Sequence, residues 1–272
     1  MFLEVIRFVF YSGLIVLISK YILVETLRGL ATSLRLKAKT VGDITGVATS
    51  VPEFLTITVS GLKGLSGAGL YNILSSNIIN LIQYFGTILL NKNVKKLNNG
   101  AIKVGVVLVI MTILIPLLLL KFDFQMDGFV VFLFISLYIL FVFLNGSASR
   151  YYLGNTDNLY EKNDREDKSK WNVIKYIFIL ILTGIGLFFI SNRLGNSIEE
   201  LCLLFGVPES LVGIILGFIT SLPELITFFE SQKFHKENID DMLGVVEATN
   251  NLLMSNCLNL FIIQAVGILL IM

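Results

Sequence analysis

Two carboxylates and two prolines stand where a membrane-length helix accommodates neither well. Thr49, Ser50, Val51, Pro52 and Glu53 interrupt one apolar run, and Thr220, Ser221, Leu222, Pro223 and Glu224 interrupt another. Proline lacks an N–H, and its ring collides with the carbonyl four residues back, that of Ala48 or Ile219 here. Backbone oxygens freed in this way are tolerated at membrane depth only where protein, water or a bound ion satisfies them. Thr49, Ser50, Thr220 and Ser221 add hydroxyl oxygens, and Glu53 and Glu224 add charge. Hard oxygen donors of these kinds suit Na⁺ or Ca²⁺ rather than a soft metal.

A second pair of motifs supplies amides. Ser76 and Asn80 stand four residues apart in "SNIIN", on one helix face, and Ser255 and Asn259 repeat the spacing in "SNCLN". Side-chain carbonyls of Asn80 and Asn259 would complete a shell, and the four segments together offer roughly the six to eight oxygens that calcium takes. Any single Ser, Thr or Asn inside a membrane helix is equally well explained as a helix-to-helix tie. An intramembrane glutamate is different, because its desolvation makes function the default reading. Two of them, each directly after a proline, strengthen that reading further.

The elements that must position these residues are membrane helices. The chain has 272 residues, 55% of them hydrophobic and 15% charged, with a mean hydropathy of +0.80. A soluble domain cannot bury that much apolar surface, so the sequence predicts an all-α, polytopic transmembrane bundle. The net charge of +1 points to no nucleic acid or acidic partner. Cys202 and Cys257 lack metal or redox spacing and read as small apolar residues. The N-terminal apolar run is too long for a signal peptide and carries Glu4 where a basic segment belongs, so it reads as the first span.

With about 20 apolar residues needed to cross the hydrocarbon core, about eight helices are expected, near 3–27, 40–62, 67–90, 101–120, 128–147, 172–191, 207–230 and 246–271. Two membrane halves, 1–153 and 172–272, flank a charged linker over 154–171. Basic residues cluster after spans one, three, five and seven, as at Arg28, Lys37, Lys95, Arg150, Lys168 and Lys233. The positive-inside bias therefore puts the N-terminus outside and the central linker in the cytoplasm.

"GDITGVATSVPEFLT" (42–56) aligns without gaps to "GIILGFITSLPELIT" (213–227), and the two SN-x-x-N motifs follow. Repeat one covers about 42–81 and repeat two about 213–260. Since span two runs outward and span seven inward, the repeats have inverted topology, which in transporters places the substrate site near the midplane where broken helices meet.

At these motifs the sequence resembles the cation/calcium antiporter superfamily, the sodium/calcium exchangers and their relatives. The resemblance covers about a third of the chain and implies an exchanger-like helical fold with cation sites between the repeats. It implies Glu53 and Glu224 as central ligands. Thr49, Ser50, Thr220 and Ser221 would surround them, and Ser76, Asn80, Ser255 and Asn259 would close the cluster. Spans one and six would be the sliding pair. The implied activity is secondary antiport of Ca²⁺, or a similar cation, against Na⁺ or H⁺, with no organic cofactor and no enzymatic chemistry. The setting would be a membrane, most simply a prokaryotic plasma membrane.

Several departures shape the expectation. Family glycines are replaced by Ala48 and Ile219 before the "TS" pairs, and by Tyr71, Ser75, Asn250 and Met254 around the amide motifs. Bulk there is expected to alter helix approach. Asn259 stands where well-known sodium/calcium members carry Asp, which should weaken Ca²⁺ binding and leaves a monovalent cation/proton exchanger as an alternative. The family usually has ten helices and about eight are read here. A short form, a truncation, a homo-oligomer or a partner subunit replacing the last two would each fit, as would a non-transporting subunit or sensor. Asp43 is expected at the cytoplasmic start of span two, as an access-path residue or a solvated one. Glu230 and Glu247 are expected to be solvated around the next cytoplasmic loop, with Glu247 the better pathway candidate. His235 is expected on the surface of that loop.

Overall fold

Runs rich in leucine, isoleucine and phenylalanine close their backbone hydrogen bonds locally, as a bilayer requires, and every long element among the described residues is helical. The computed structural model describes residues 2–34, 36–122, 127–153, 170–238 and 241–271. The first half holds α1 (Phe2–Ile18), a π-helical turn (Ser19–Val24), α2 (Glu25–Ser33), α3 (Ala38–Thr49), α4 (Val51–Leu62) and α5 (Ser66–Leu90). A short 3₁₀ turn (Val94–Asn98), α6 (Gly100–Lys121) and α7 (Gly128–Leu153) complete it. The second half holds α8 (Lys170–Glu199), a π turn (Glu200–Leu204), α9 (Glu209–Thr220) and α10 (Leu222–Asn238). It ends with α11 (Asp241–Cys257), a third π turn (Leu258–Ile263) and α12 (Gln264–Ile271). No strand occurs among the described residues.

Seven of these helical stretches are long and apolar enough to cross a membrane, and the polar α3–α4 pair makes the eighth expected span. Phe129, Phe132, Phe143, Phe178 and Phe189 are exposed on α7 and α8, as side chains facing lipid are. Sequence boundaries fall short at several places, among them the helix of 128–147, which runs on to Leu153. The helix of 172–191 runs on to Glu199, and that of 207–230 runs on to Asn238. The linker expected over 154–171 lies outside the described residues for 154–169, while Lys170 and Trp171 already belong to α8.

The repeats are intertwined. α3 of the first packs most closely on α11 of the second, and α5 of the first on α9 of the second. Here the expectation about lost glycines is corrected. Tyr71, Ser75, Asn250 and Met254 do not force the helices apart, because glycines on the opposing helices make the room. A Cβ on Gly42 would lie 2.4 Å from the Glu247 carbonyl oxygen, and one on Gly46 2.6 Å from that of Asn251. Gly213 and Gly217 do the same against α5, where an added Cβ would meet the Ala68 carbonyl at 2.5 Å and Ser75 Oγ at 2.0 Å. Each pair has glycine-x-x-x-glycine spacing, the arrangement that lets membrane helices approach closely.

Two apolar clusters hold this seam from either side. One joins α5, α6, α7, α11 and the third π turn through residues such as Tyr84, Val109, Phe134, Leu252 and Phe261. The other joins α1, α8 and α9 through Phe8, Ile15, Leu187, Leu194 and Leu216. α1 and α8, the pair implied to slide, lie against each other, and each runs into a π turn at its C-terminal end.

Candidate cation site

Both TS-x-PE segments break where they were expected to, and in the same way. Ser50 separates α3 from α4 at φ −81°, ψ −2°, and Ser221 separates α9 from α10 at φ −80°, ψ −3°. Each proline sits just inside the new helix, where its missing N–H leaves little unsatisfied. The helix resumes with Phe54 N–H donating to the Ser50 carbonyl at 3.0 Å and Leu225 N–H to that of Ser221 at 3.3 Å. The glutamate therefore lies in the first turn of a helix that starts inside the protein, at the end of the helix dipole that favours an anion.

The structure gathers all ten sequence-predicted site residues into one buried cluster. Glu53, Glu224, Ser76, Asn80, Ser255, Asn259, Thr49 and Ser221 are essentially inaccessible, and Ser50 and Thr220 nearly so. Glu53 and Glu224 interact electrostatically across the repeat interface. Ser255 Oγ donates to Glu224 Oε1 at 2.9 Å, and Ser50 Oγ lies 3.0 Å from Ser255 Oγ. The hydroxyls of Ser50 and Ser221 donate to the carbonyls of Gly46 and Gly217 at 3.0 and 2.7 Å, which leaves their lone pairs to accept.

Amide side chains outside the predicted set organise the cluster. Asn77 Nδ2 donates to the Asn256 carbonyl at 3.3 Å, and Asn256 Nδ2 returns a bond to that of Asn77 at 3.1 Å. Asn80 Nδ2 donates to Asn256 Oδ1 at 3.3 Å, and Asn259 Nδ2 to Asn77 Oδ1 at 3.1 Å and Ser76 Oγ at 3.3 Å. This reciprocity is what a two-fold relation between repeats produces. Thr220 Oγ1 donates to Asn72 Oδ1 at 3.1 Å, and Asn251 Nδ2 to Thr227 Oγ1 at 2.6 Å. Asn72, Asn77, Asn251 and Asn256 all sit in the repeated motifs, so their pairing across the alignment was the available signal.

Five acceptor oxygens in the cluster have no hydrogen-bond partner: both of Glu53, Oε2 of Glu224, and Oδ1 of Asn80 and Asn259. With their amide nitrogens tied to neighbours, Asn80 and Asn259 present carbonyl oxygens by construction. Buried, unpartnered acceptors drawn from both repeats form a donor set for a hard cation, since leaving such groups unsatisfied costs about 1–3 kcal/mol each.

Three peripheral expectations change. His235 is fully buried, not on the surface, and Glu247 is 1% exposed, not solvated. The reason is that α10 extends to Asn238 and lies against Gly244 of α11, where a Cβ would approach that of His235 to 3.2 Å. Glu230 is partly buried. Asp43 pairs with Lys39 at 2.7 Å, each side chain about a fifth exposed. Cys202 and Cys257 are free thiols.

Comparison with known proteins agrees with this architecture. A solved structure described as "Crystal Structure of H+/Ca2+ Exchanger CAX" superposes with a TM-score of 0.65, covering 98% of this chain and 69% of the other, at 14% identity. That likeness concerns the fold. No curated protein sequence matches significantly. The family model "Sodium/calcium exchanger protein" matches residues 5–146 and 175–272, and so leaves out only the extreme N-terminus and the region of the charged linker. Matched over most of its length, the chain belongs to the sodium/calcium exchanger protein family.

Proposed function

We propose that this integral membrane protein is a secondary active antiporter that exchanges Ca²⁺, or a similar cation, against Na⁺ or H⁺ at the pocket between its repeats. The observation that carries the reading is the set of unpartnered buried oxygens from Glu53, Glu224, Asn80 and Asn259. Thr49, Ser50, Thr220, Ser221, Ser76 and Ser255 surround them with hydroxyls and completed hydrogen bonds. The printed description of the similar fold names an H⁺/Ca²⁺ exchanger, in keeping with this reading.

Competing cations share the two carboxylates, so the pocket holds one kind or the other, and a charge-neutralised site can pass between inward- and outward-facing states. The distribution of basic residues supports an N-terminus outside and a cytoplasmic central linker. No organic cofactor enters the scheme. The amide of Asn259 supports a second reading, exchange of a monovalent cation against H⁺, because it leaves two carboxylates at the centre instead of three.

Reconstitution into liposomes tests both. Imposed Na⁺ or H⁺ gradients are expected to drive uptake of radiolabelled Ca²⁺. Failure of both gradients rejects the calcium reading, and Na⁺ or K⁺ uptake driven by H⁺ alone selects the second.

A further inference from the structure

The cation pocket is not the end of the polar surface between α10 and α11. Starting from Glu224, which receives the Ser255 hydroxyl, three more contacts climb the two helices. Asn251 Nδ2 donates to Thr227 Oγ1 at 2.6 Å. Ser231 Oγ lies 2.7 Å from both Glu247 Oε1 and the Thr227 carbonyl oxygen. His235 Nε2 lies 2.9 Å from Glu247 Oε2. The positions 224, 227, 231 and 235 fall on one face of α10, and 255, 251 and 247 on one face of α11. At 1.5 Å per residue, His235 stands roughly 16 Å along the axis from Glu224.

The fold does not require an ionisable pair there. Aligning Glu53 with Glu224 places Ser60 at Ser231 and Gly64 at His235, and aligning Asn77 with Asn256 places Ala68 at Glu247. The first repeat thus keeps the buried serine and closes the same corner with glycine and alanine. Burying a carboxylate and an imidazole is unfavourable without compensation, and imidazole is the side chain whose charge ordinarily changes near neutral pH. Other described charged groups on elements packed against α10 have partners of their own. Lys39 holds Asp43, Lys20 bonds Tyr21, Tyr84 bonds Thr249, and Glu209 accepts from Ala68 N–H. Glu230 and Lys233 share the helix with His235. Lys92, Lys95 and Lys96 lie in the α5–α6 connection, whose Asn93 bonds Gln232.

We propose that His235 and Glu247 form a cytoplasmic proton-binding site whose occupancy is linked, through the α10–α11 seam, to occupancy of the cation pocket. The linkage builds on the antiporter reading above. A proton taken up from the cytoplasm by the imidazole converts a neutral ring beside the Glu247 carboxylate into an imidazolium–carboxylate pair, and its release restores the neutral ring. The stronger pair on Oε2 draws the Glu247 carboxylate toward His235 and loosens the bond that Ser231 makes to Oε1. Ser231 also meets the backbone of Thr227, whose hydroxyl holds Asn251 one turn from Ser255, the donor to Glu224. A change at one end of the seam therefore reaches the ligand at the other.

His235 is the only histidine, so isotope-labelled histidine gives one imidazole spectrum in the intact protein. We expect saturating Ca²⁺ to change the proton affinity of that imidazole about fivefold or more. By reciprocity, His235→Gln removes the same factor from the pH dependence of Ca²⁺ affinity, and Glu247→Gln shifts the imidazole titration directly. An imidazole that takes up no proton while the protein stays folded overturns the proposal. So does a titration unmoved at saturating Ca²⁺, or a folded His235→Gln protein with its full pH dependence. The wild-type spectra stand even if a variant fails to fold. If neither Ca²⁺ nor Na⁺ binds at all, the pocket reading falls and takes the linkage with it. Binding with an unmoved His235 overturns the linkage alone.

Discussion

The two repeats carry the same break, the same glutamate and the same amide pair, yet their surroundings differ in three places. Glu53 has neither oxygen hydrogen-bonded, whereas Glu224 is anchored by Ser255. Asn80 lies within the uninterrupted helix α5, whereas Asn259 lies in a π turn, a local distortion frequent at functional sites. Gly64 and Ala68 close the outer end of one repeat, where His235 and Glu247 occupy the matching end of the other. What is common to both halves builds a cavity of oxygens. What differs gives that cavity a direction, with one carboxylate waiting for a ligand, the other held in place, and a buried histidine–glutamate contact on one side only.

The largest effects should come from the shared glutamates. Glu53→Gln removes the carboxylate that no close hydrogen bond anchors and is expected to lower cation binding and flux roughly 100-fold or more, since affinity at such sites follows ligand charge. Glu224→Gln keeps its bond from Ser255 in a neutral form and should be nearly as damaging. Binding measured by calorimetry, beside flux in liposomes, separates the two. Equal, small effects would mean that the pocket is not where the ion sits, and a larger loss at Glu224 would reverse the order of the comparison.

Much of this is legible in the sequence. The TS-x-PE and SN-x-x-N repeats identified the buried cluster because proline and an intramembrane carboxylate are costly enough to need a reason. Periodicity did not reveal how glycine absorbs bulk. Gly42, Gly46, Gly213 and Gly217 compensate for Asn250, Met254, Tyr71 and Ser75 across helix interfaces, and no single-segment reading sees the partner. His235 was misplaced for a related reason. "SQKFHKEN" is polar enough to read as a loop, but α10 continues through it and turns one face to α11. Asn72 and Asn251 were visible in the repeat yet carried no sign that they hold Thr220 and Thr227.

A middle range of effect belongs to the residues that set the shape of the pocket. Gly217→Leu and Gly46→Leu drive a side chain into the backbone of the opposing helix and should each lower stability by about 1–3 kcal/mol or more. The loss is read as a lower thermal midpoint and reduced recovery from the membrane. Gly86→Leu, at a position with open space around its Cβ, is the control and should leave the midpoint unchanged. If all three behave alike, glycine packing does not hold the repeats together. Asn72→Ala removes the partner of Thr220, and Asn251→Ala the partner of both Thr49 and Thr227, without touching a carboxylate. Cation affinity should fall about 10-fold or more in each, the usual effect of losing a residue that orients a ligand. The Asn251 change should be the larger, since it frees two threonines rather than one.

The smallest change in the series asks how the two amides differ. Asn259→Asp adds a third carboxylate at the π turn and is expected to raise Ca²⁺ affinity about 10-fold, because each added charge strengthens a calcium site. It also removes the amide donor to Asn77 and Ser76, so the gain is a difference between new charge and lost anchoring. Asn80→Asp adds the same charge on a continuous helix and loses one bond, that to Asn256. If charge alone matters, the two substitutions raise Ca²⁺ affinity equally. If the π turn holds Asn259 so that its carbonyl faces the ion, Asn259→Asp gives the larger gain and Na⁺ affinity changes less than Ca²⁺ affinity. No gain from either would show that the pocket is matched to a cation for which two carboxylates suffice, which would move the balance toward monovalent exchange.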